Sequence, residues 1–324
     1  MGGTPVSTFF GSLRRRLFGI DPAETTFARR GFRAGVPGAQ ERLEKVGHTF
    51  SEGYHAALET PALPSLVPRL NAISNEVRGF AYEGAAMGLA LLDRITPWKR
   101  DRIQGFLRGA GEAHHYMVYV GAGWALARLG GRVEPALGRL DPLLRWLAVD
   151  GYGFHEAFFH WQNYRAGQPP PRRLEGYARQ AFDQGMGRCL WFIEGCDVLR
   201  IPMAIEAFPE KRRGDLWSGV GLAATYAGEV GEVELRSLLA SAGPFQPHLA
   251  QGSAFAAKAR QRAENLIPYT ELACQILCEA SAPQAAQVTD ASLENLPNNG
   301  LEPAFEIWRR RIQAKFLRNT QPRS

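Results

Sequence analysis

Short small-residue motifs recur in the same order about 100 residues apart, and no other feature restricts the fold as strongly. Tyr82-Glu83-Gly84 lines up with Phe182-Asp183-Gln184, and Met87-Gly88 with Met186-Gly187. Gly121-Ala122-Gly123-Trp124-Ala125 lines up with Gly219-Val220-Gly221-Leu222-Ala223. Asp150-Gly151-Tyr152-Gly153-Phe154 lines up with Gln251-Gly252-Ser253-Ala254-Phe255. This order predicts a duplication, with small residues letting helices approach closely. The second copy keeps the small residues but carries Gln251 for Asp150 and Ala256 for His155. A purely structural role for Asp150 and His155 does not predict that loss. Glu83 and Asp183 keep an acid in both copies and are expected to face one another across a pseudo-twofold axis.

Apolar residues recur at helical spacing along most of the chain, and convincing period-two strands are absent. The expected fold class is all-α, a helical protein of two pseudo-symmetric tandem halves. Helices are expected over 40–57, 70–95, 100–130, 132–148, 174–200, 216–227, 232–242, 249–278 and 305–317. Pro61, Pro64 and Pro68 mark one connection, and Gln168-Pro169-Pro170-Pro171-Arg172-Arg173 marks the seam between the halves. The expected organisation is a basic amphipathic N-terminal segment (1–34), a first helical repeat (35–167), a second (172–282), and a C-terminal loop and basic helix (283–324).

Of the 324 residues 45% are hydrophobic, which supplies a real core. The net charge of +6 comes mostly from arginine clusters. None is interleaved with stacking aromatics in a nucleic-acid motif, so no nucleic-acid partner is expected. Clusters near both ends suit anionic lipid or an acidic partner. Phe9, Phe10, Leu13, Leu17, Phe18 and Ile20 lie among Arg14, Arg15 and Arg16; such a segment either docks on a membrane or partner or packs on its own domain. The four cysteines form no CxxC, which points to reduced, buried thiols in a cytoplasmic protein. No apolar run approaches the roughly 20 residues of a spanning helix, and the start lacks the apolar core of a signal peptide. A cytoplasmic location with peripheral membrane contact is the expectation.

Chemistry-bearing residues concentrate in Asp150-Gly151-Tyr152-Gly153-Phe154-His155-Glu156-Ala157-Phe158-Phe159-His160-Trp161. Gly151 and Gly153 suit a turn, with Asp150 capping a helix that starts near Phe154. On such a helix Glu156 and His160 share a face. The run is either an acid–base or ligand cluster at a helix mouth or a capped aromatic core helix. Glu112 and His115 form a Glu-x-x-His pair, the spacing of four-helix carboxylate metal sites. A second such pair is missing: Glu194 is followed three later by Asp197, and Glu156 precedes His160 by four. Candidate metal ligands are therefore Glu83, Glu112, His115 and His155, with iron as the metal.

Several motifs together resemble one family. They are Phe9-Phe10-Gly11-Ser12-Leu13-Arg14-Arg15-Arg16-Leu17-Phe18-Gly19-Ile20, Thr26-Phe27-Ala28-Arg29-Arg30-Gly31-Phe32, Glu83-Gly84-Ala85-Ala86-Met87, Gly121 to Arg128, Asp150 to His155, Asp183-Gln184-Gly185-Met186-Gly187-Arg188 and Asp215-Leu216-Trp217-Ser218-Gly219. From about residue 8 to about residue 280 the chain resembles the accessory proteins of enediyne biosynthetic gene clusters, encoded beside the enediyne polyketide synthase. The resemblance implies a role in making an enediyne or a related polyene-derived natural product. It carries over no catalytic residues. It also implies a membrane-protein partner, which the basic N-terminal segment would meet.

Two functions follow as expectations. One is an oxidative or acid–base enzyme acting on a polyene, with Asp150, His155, Glu83 and Asp183 brought together between the halves. The other is a non-catalytic polyene holder or scaffold. In either case Tyr82, Tyr116, Trp124, Tyr152, Phe154, Phe158 and Trp191 are the expected substrate-binding side chains.

Overall fold

The computed structural model describes residues 9–317 apart from 97, 99, 100, 229, 298, 299 and 301. Residues 1–8 of the amphipathic segment and 318–324 of the C-terminal segment thus lie outside the described residues. The described residues are helical with no strand, so the fold is all-α.

In chain order the helices are α1 (Phe9–Phe18), α2 (Phe27–Arg30), α3 (Ala39–Glu59), α4 (Leu63–Asn71), α5 (Arg78–Ile95) and α6 (Arg102–Leu107). Then come α7 (His115–Leu129), α8 (Glu134–Leu137), α9 (Arg145–His160), α10 (Ala178–Ile193), α11 (Arg200–Glu206) and α12 (Glu210–Tyr226). The last are α13 (Glu232–Ala242), α14 (Gln246–Arg262), α15 (Pro268–Leu277), α16 (Ala282–Ala291) and α17 (Ala304–Lys315).

The long helices α3, α5, α7, α9, α10, α12 and α14 each pack on the next, while shorter helices carry most of the returns between them. Glycine placement explains both the closeness and the direction. A methyl on Gly84 would fall 1.9 Å from the Phe50 carbonyl oxygen, and one on Gly88 would fall 2.8 Å from Ala57 Cβ. Rising numbers on α5 therefore meet rising numbers on α3, so the two helices run parallel. From α7 to α12 each long helix carries two glycines two apart. The first meets the preceding helix and the second the following one: Gly151 faces Val120 on α7, and Gly153 faces Phe182 on α10. Backbones this close make Cα–H···O contacts that only glycine permits.

The glycine pair recurs at steps of roughly 33 residues, one helix and one return per step. The 100-residue similarity seen in the sequence spans three such steps, and across the Gln168–Arg173 connector α9 packs on α10 as the other neighbouring long helices pack on one another. The path winds back on itself within about five helices, a solenoid of unusually tight pitch. Tyr226 at the end of α12 meets Phe80 on α5 with ring centroids 5.2 Å apart. Arg42 Nε on α3 donates to the Ala227 carbonyl at 3.4 Å. Past the end of α14, Asn265 Nδ2 donates to the Asn75 carbonyl at 3.1 Å. One hydrophobic core consequently runs from Ile20 to Ile312.

Several boundaries differ from expectation. Gly151 and Gly153 are not a turn, and Asp150 is not a cap; all three sit in the middle of α9, because the glycines serve helix approach. The 70–95, 100–130 and 249–278 segments are each interrupted. At the last, Glu264 takes φ +51° and Pro268 restarts the helix as α15. The polar Pro283–Gly300 stretch contains α16, started by a capping box between Ser281 and Gln284. All four cysteines are buried free thiols.

Candidate functional site

The residue just before each first small residue points to the superhelix axis. In order these are Phe50, Glu83, Val120, Asp150, Gln184, Ser218 and Gln251. From α9 onwards they hydrogen-bond in series. Gln184 Nε2 donates to Asp150 Oδ2 at 2.8 Å. Ser218 Oγ donates to Gln184 Oε1 at 3.4 Å and alternatively to Gln251 Oε1 at 2.8 Å. Arg309 on α17 donates from Nε to Gln251 Oε1 at 3.2 Å and from Nη1 to Asp215 Oδ1 at 2.7 Å. At α7 the column position is apolar Val120, so Glu83 and Asp150 lack a side chain bridging them on that helix.

Arg188 spans that gap from across the axis. Its Nη1 lies 3.2 Å from Asp150 Oδ1, and its Nη2 lies 3.8 Å from Glu83 Oε1. Its guanidinium also sits 4.8 Å over the Phe154 ring. Trp124 Nε1 donates to Glu83 Oε1 at 3.0 Å. All of these side chains are buried. Burial pushes the Glu83 carboxyl up to about 7, against the pull of Arg188 and the Trp124 hydrogen bond and with a further push from Asp150. Burial also raises Asp150, opposed by Arg188 and Gln184. Two carboxyls share one guanidinium, and burial pushes both toward the protonated form, Glu83 to about 7.

This cluster borders an axial cavity of about 60 Å³. The wall is aromatic, from Phe50, Phe80, Trp124, Phe154, Phe158 and Tyr226, and it carries Glu83 and Arg188. A void of this size has room for water, yet most of its lining offers no polar partner. Residues 18–36 form a strap that closes one side. Ile20 N–H donates to His55 Nε2 at 3.1 Å, and Tyr54 Oη donates to the Phe18 carbonyl at 2.7 Å. Thr25 Oγ1 lies 2.9 Å from His48 Nδ1, and Arg33 N–H donates to the Ile193 carbonyl at 2.9 Å.

Outside the strap an open cleft of about 500 Å³ is lined by Arg30, Arg128, His155, Glu156 and His160. Ile20 and Phe159 line both the cleft and the cavity, so these two side chains separate a polar mouth from an apolar interior. His155 belongs to the mouth. Its Nδ1 lies 3.6 Å from Glu156 Oε1, and burial lowers the imidazole despite that carboxylate.

The structure brings together Glu83, Asp150, Trp124, Phe154 and Phe158, but it disperses the other predicted site residues. Asp183 does not face Glu83. Arg212 holds it from Nε at 2.8 Å and from Nη2 at 2.5 Å, and the column counterpart of Glu83 on α10 is Gln184. Tyr82 packs on Phe106 and His114 away from the axis, with Oη donating to Asn71 Oδ1 at 2.9 Å. Tyr116 lines a smaller void beyond Arg188. Tyr152 lies under Arg173, and Trp191 donates to the Gly228 carbonyl at 3.1 Å. The metal set of Glu83, Glu112, His115 and His155 is not assembled. Glu112 precedes α7 and pairs with Arg262, while Glu83 and His155 are on other helices. No group of three or more His, Cys, Asp or Glu able to hold a metal occurs among the described residues.

Sequence reasoning missed Arg188, Phe50, Phe80 and Tyr226. The available signal for Arg188 was an arginine inside the otherwise apolar run Gly185 to Ile193, which requires a buried acid nearby.

The family described as "Protein of unknown function (DUF1702)" matches residues 9–316. No curated protein and no solved structure matches the chain.

Proposed function

The chain belongs to the DUF1702 family, and from that premise we propose that it accommodates a polyene along the superhelix axis and exchanges a proton with it through Glu83, as an accessory protein of enediyne-type polyketide biosynthesis. The observation that carries this reading is a carboxyl group near neutrality, with Arg188 and Asp150 behind it, in the wall of an aromatic cavity. A general acid or base works best when its pKa lies near the operating pH, and burial in apolar surroundings is the usual way to bring a carboxyl there. Arg188 would hold the negative charge left on Glu83 after donation, and the repulsion of Asp150 would favour return of the proton. The enediyne assignment itself rests on the sequence resemblance.

The closed cavity is too small for a long polyene. Ile20 and Phe159 line both voids; their rotation would join the cavity to the 500 Å³ mouth and give a volume in the range of roughly 300–1,000 Å³ typical of ligand pockets. His155, Glu156, His160 and Arg128 would then meet the polar end of the ligand.

A second reading is favoured by the bonds already made within the cluster. Asp150 is already bonded to Gln184 and Glu83 to Trp124, as in a structural fastener, and the protein would then hold a polyene without acting on it. Titration with a conjugated tetraene fatty acid, followed by quenching of tryptophan fluorescence, tests the shared part. Saturable quenching that Phe154→Ala weakens about tenfold supports the cavity as the site; no saturable quenching removes both readings. Where binding holds, Glu83→Gln separates them: loss of turnover with unchanged affinity indicates acid–base chemistry.

A further inference from the structure

Helix α1 is mounted with its apolar side outward. Its inner side is polar and small. Gly11 packs against the Glu59 backbone, and Arg14 donates from Nε to the Leu58 carbonyl at 2.7 Å. Arg15 Nη1 meets Glu59 Oε1 at 2.5 Å. Arginines satisfying the carbonyls at the end of α3 therefore anchor the helix. The outer side carries Phe9 (79% exposed), Phe10 (69%), Leu13 (42%) and Leu17 (66%). At spacings of one, three and four these share a face. A helix that docks by burying its apolar stripe has the opposite arrangement.

The placement of this face is informative. Helices α3, α7 and α9 end around the strap, and α5 ends beside α7. Arg94 near the end of α5 reaches the Gly130 carbonyl just past α7, and Arg128 on α7 reaches the Phe18 carbonyl. Trp98, just past the end of α5, is 82% exposed. The polar mouth is lined at this same end, by Ala127 and Arg128 of α7 and by His155 to His160 of α9. Exposed aromatics and leucines beside exposed arginines, with no acid on α1, match the composition of a segment lying in a bilayer interface.

We propose that α1 and Trp98 seat this end of the protein on an anionic lipid bilayer, with the mouth beside the lipid surface. The charge argues for lipid over a second copy of the chain: Glu59 offsets Arg15, but Arg14, bonded to a carbonyl, and Arg16 leave α1 positive, and two such helices brought face to face would repel. The docking stands without the polyene reading. Only its consequence, that an apolar ligand passes between bilayer and cavity, rests on that reading.

Flotation of the full chain with vesicles of 30% phosphatidylglycerol in phosphatidylcholine tests it, without any polyene present. The wild type is expected to float with these vesicles and to do so at least tenfold less with pure phosphatidylcholine. Leu13→Glu/Leu17→Glu and Trp98→Ser are expected to reduce flotation at least tenfold with unchanged helicity and melting temperature, because these side chains are exposed. A wild type that stays soluble with anionic vesicles overturns the proposal. So does a concentration-dependent dimer that the Leu13→Glu/Leu17→Glu variant abolishes, which would assign the face to a second copy.

Discussion

Arg188 and Glu83 meet across the superhelix axis at 3.8 Å although their helices are three steps apart in the winding. The same guanidinium reaches Asp150 at 3.2 Å, one step away. One cation thus ties the second, fourth and fifth long helices together at the wall of the cavity. Removing it would leave the buried Glu83 without its cation and Asp150 with only the weaker pull of Arg309, a loss of about 3–5 kcal/mol for a broken buried pair. Arg188→Met is therefore expected to lower the melting temperature sharply. Adding Glu83→Gln and Asp150→Asn should recover much of the loss, which thermal melts of the single and triple variants measure.

Glu83 gives the stability a distinct pH dependence. Its folded pKa of about 7 lies above its ordinary value of 4.5. The folded state binds the extra proton, so this contribution is fully present below about pH 4.5 and is lost as pH rises through 7. The loss is on the order of 3 kcal/mol at 1.36 kcal/mol per pKa unit. Glu83→Gln should remove this slope. Urea melts of wild type and variant at pH 5 and pH 8 should differ most at pH 8, in favour of the variant; parallel curves would show that Glu83 does not titrate there.

The small-residue pattern in the sequence showed that helices approach closely, and it placed Glu83 and Asp150 among functional candidates. It did not show the shorter recurrence of the glycine pair at roughly 33 residues. Similarity was strongest three steps apart because the column residues are acid or amide at 83, 150, 184 and 251 but Val120 and Ser218 between. Matching Glu83 with Asp183 rather than Gln184 followed from that. Asp183 looks equally chemical in sequence, yet one position along a helix turns a side chain by about 100°, away from the axis and onto Arg212. The apolar run around Arg188 signals that it is buried with an acid, but not which acid, because Glu83 and Asp150 lie more than 30 residues away in the chain.

Glycine positions make a second test of the winding. A methyl on Gly151 would fall 1.9 Å from the Val120 oxygen, and one on Gly185 would fall 1.8 Å from the Asp150 oxygen. Backbone cannot yield as a side chain does, so Gly151→Ala or Gly185→Ala should cost about 3 kcal/mol or more. At Gly105, within α6, only Leu63 comes near, at 4.0 Å. Gly105→Ala should stabilise by roughly 1 kcal/mol through helix propensity. Opposite signs in denaturant melts are expected, and a tolerated Gly185→Ala would contradict the close packing.

The strap should respond to acid through His55. Its Nε2 accepts the Ile20 N–H, a bond that a doubly protonated ring cannot accept, and burial lowers its pKa, with Arg15 adding to the fall and Glu59 opposing it. The sign follows from a depressed folded value: the contribution is present above the ordinary pKa of 6.5 and disappears as pH falls below it. Strap closure should therefore weaken between neutral pH and pH 5. Hydrogen exchange at Ile20 N–H, corrected for its intrinsic pH dependence, should lose protection over that range. His55→Leu should show the low-pH behaviour at every pH. If polyene entry needs the strap to open, tetraene association should speed up in the same range and in the same variant. Faster exchange without faster association would place entry elsewhere than between Ile20 and Phe159.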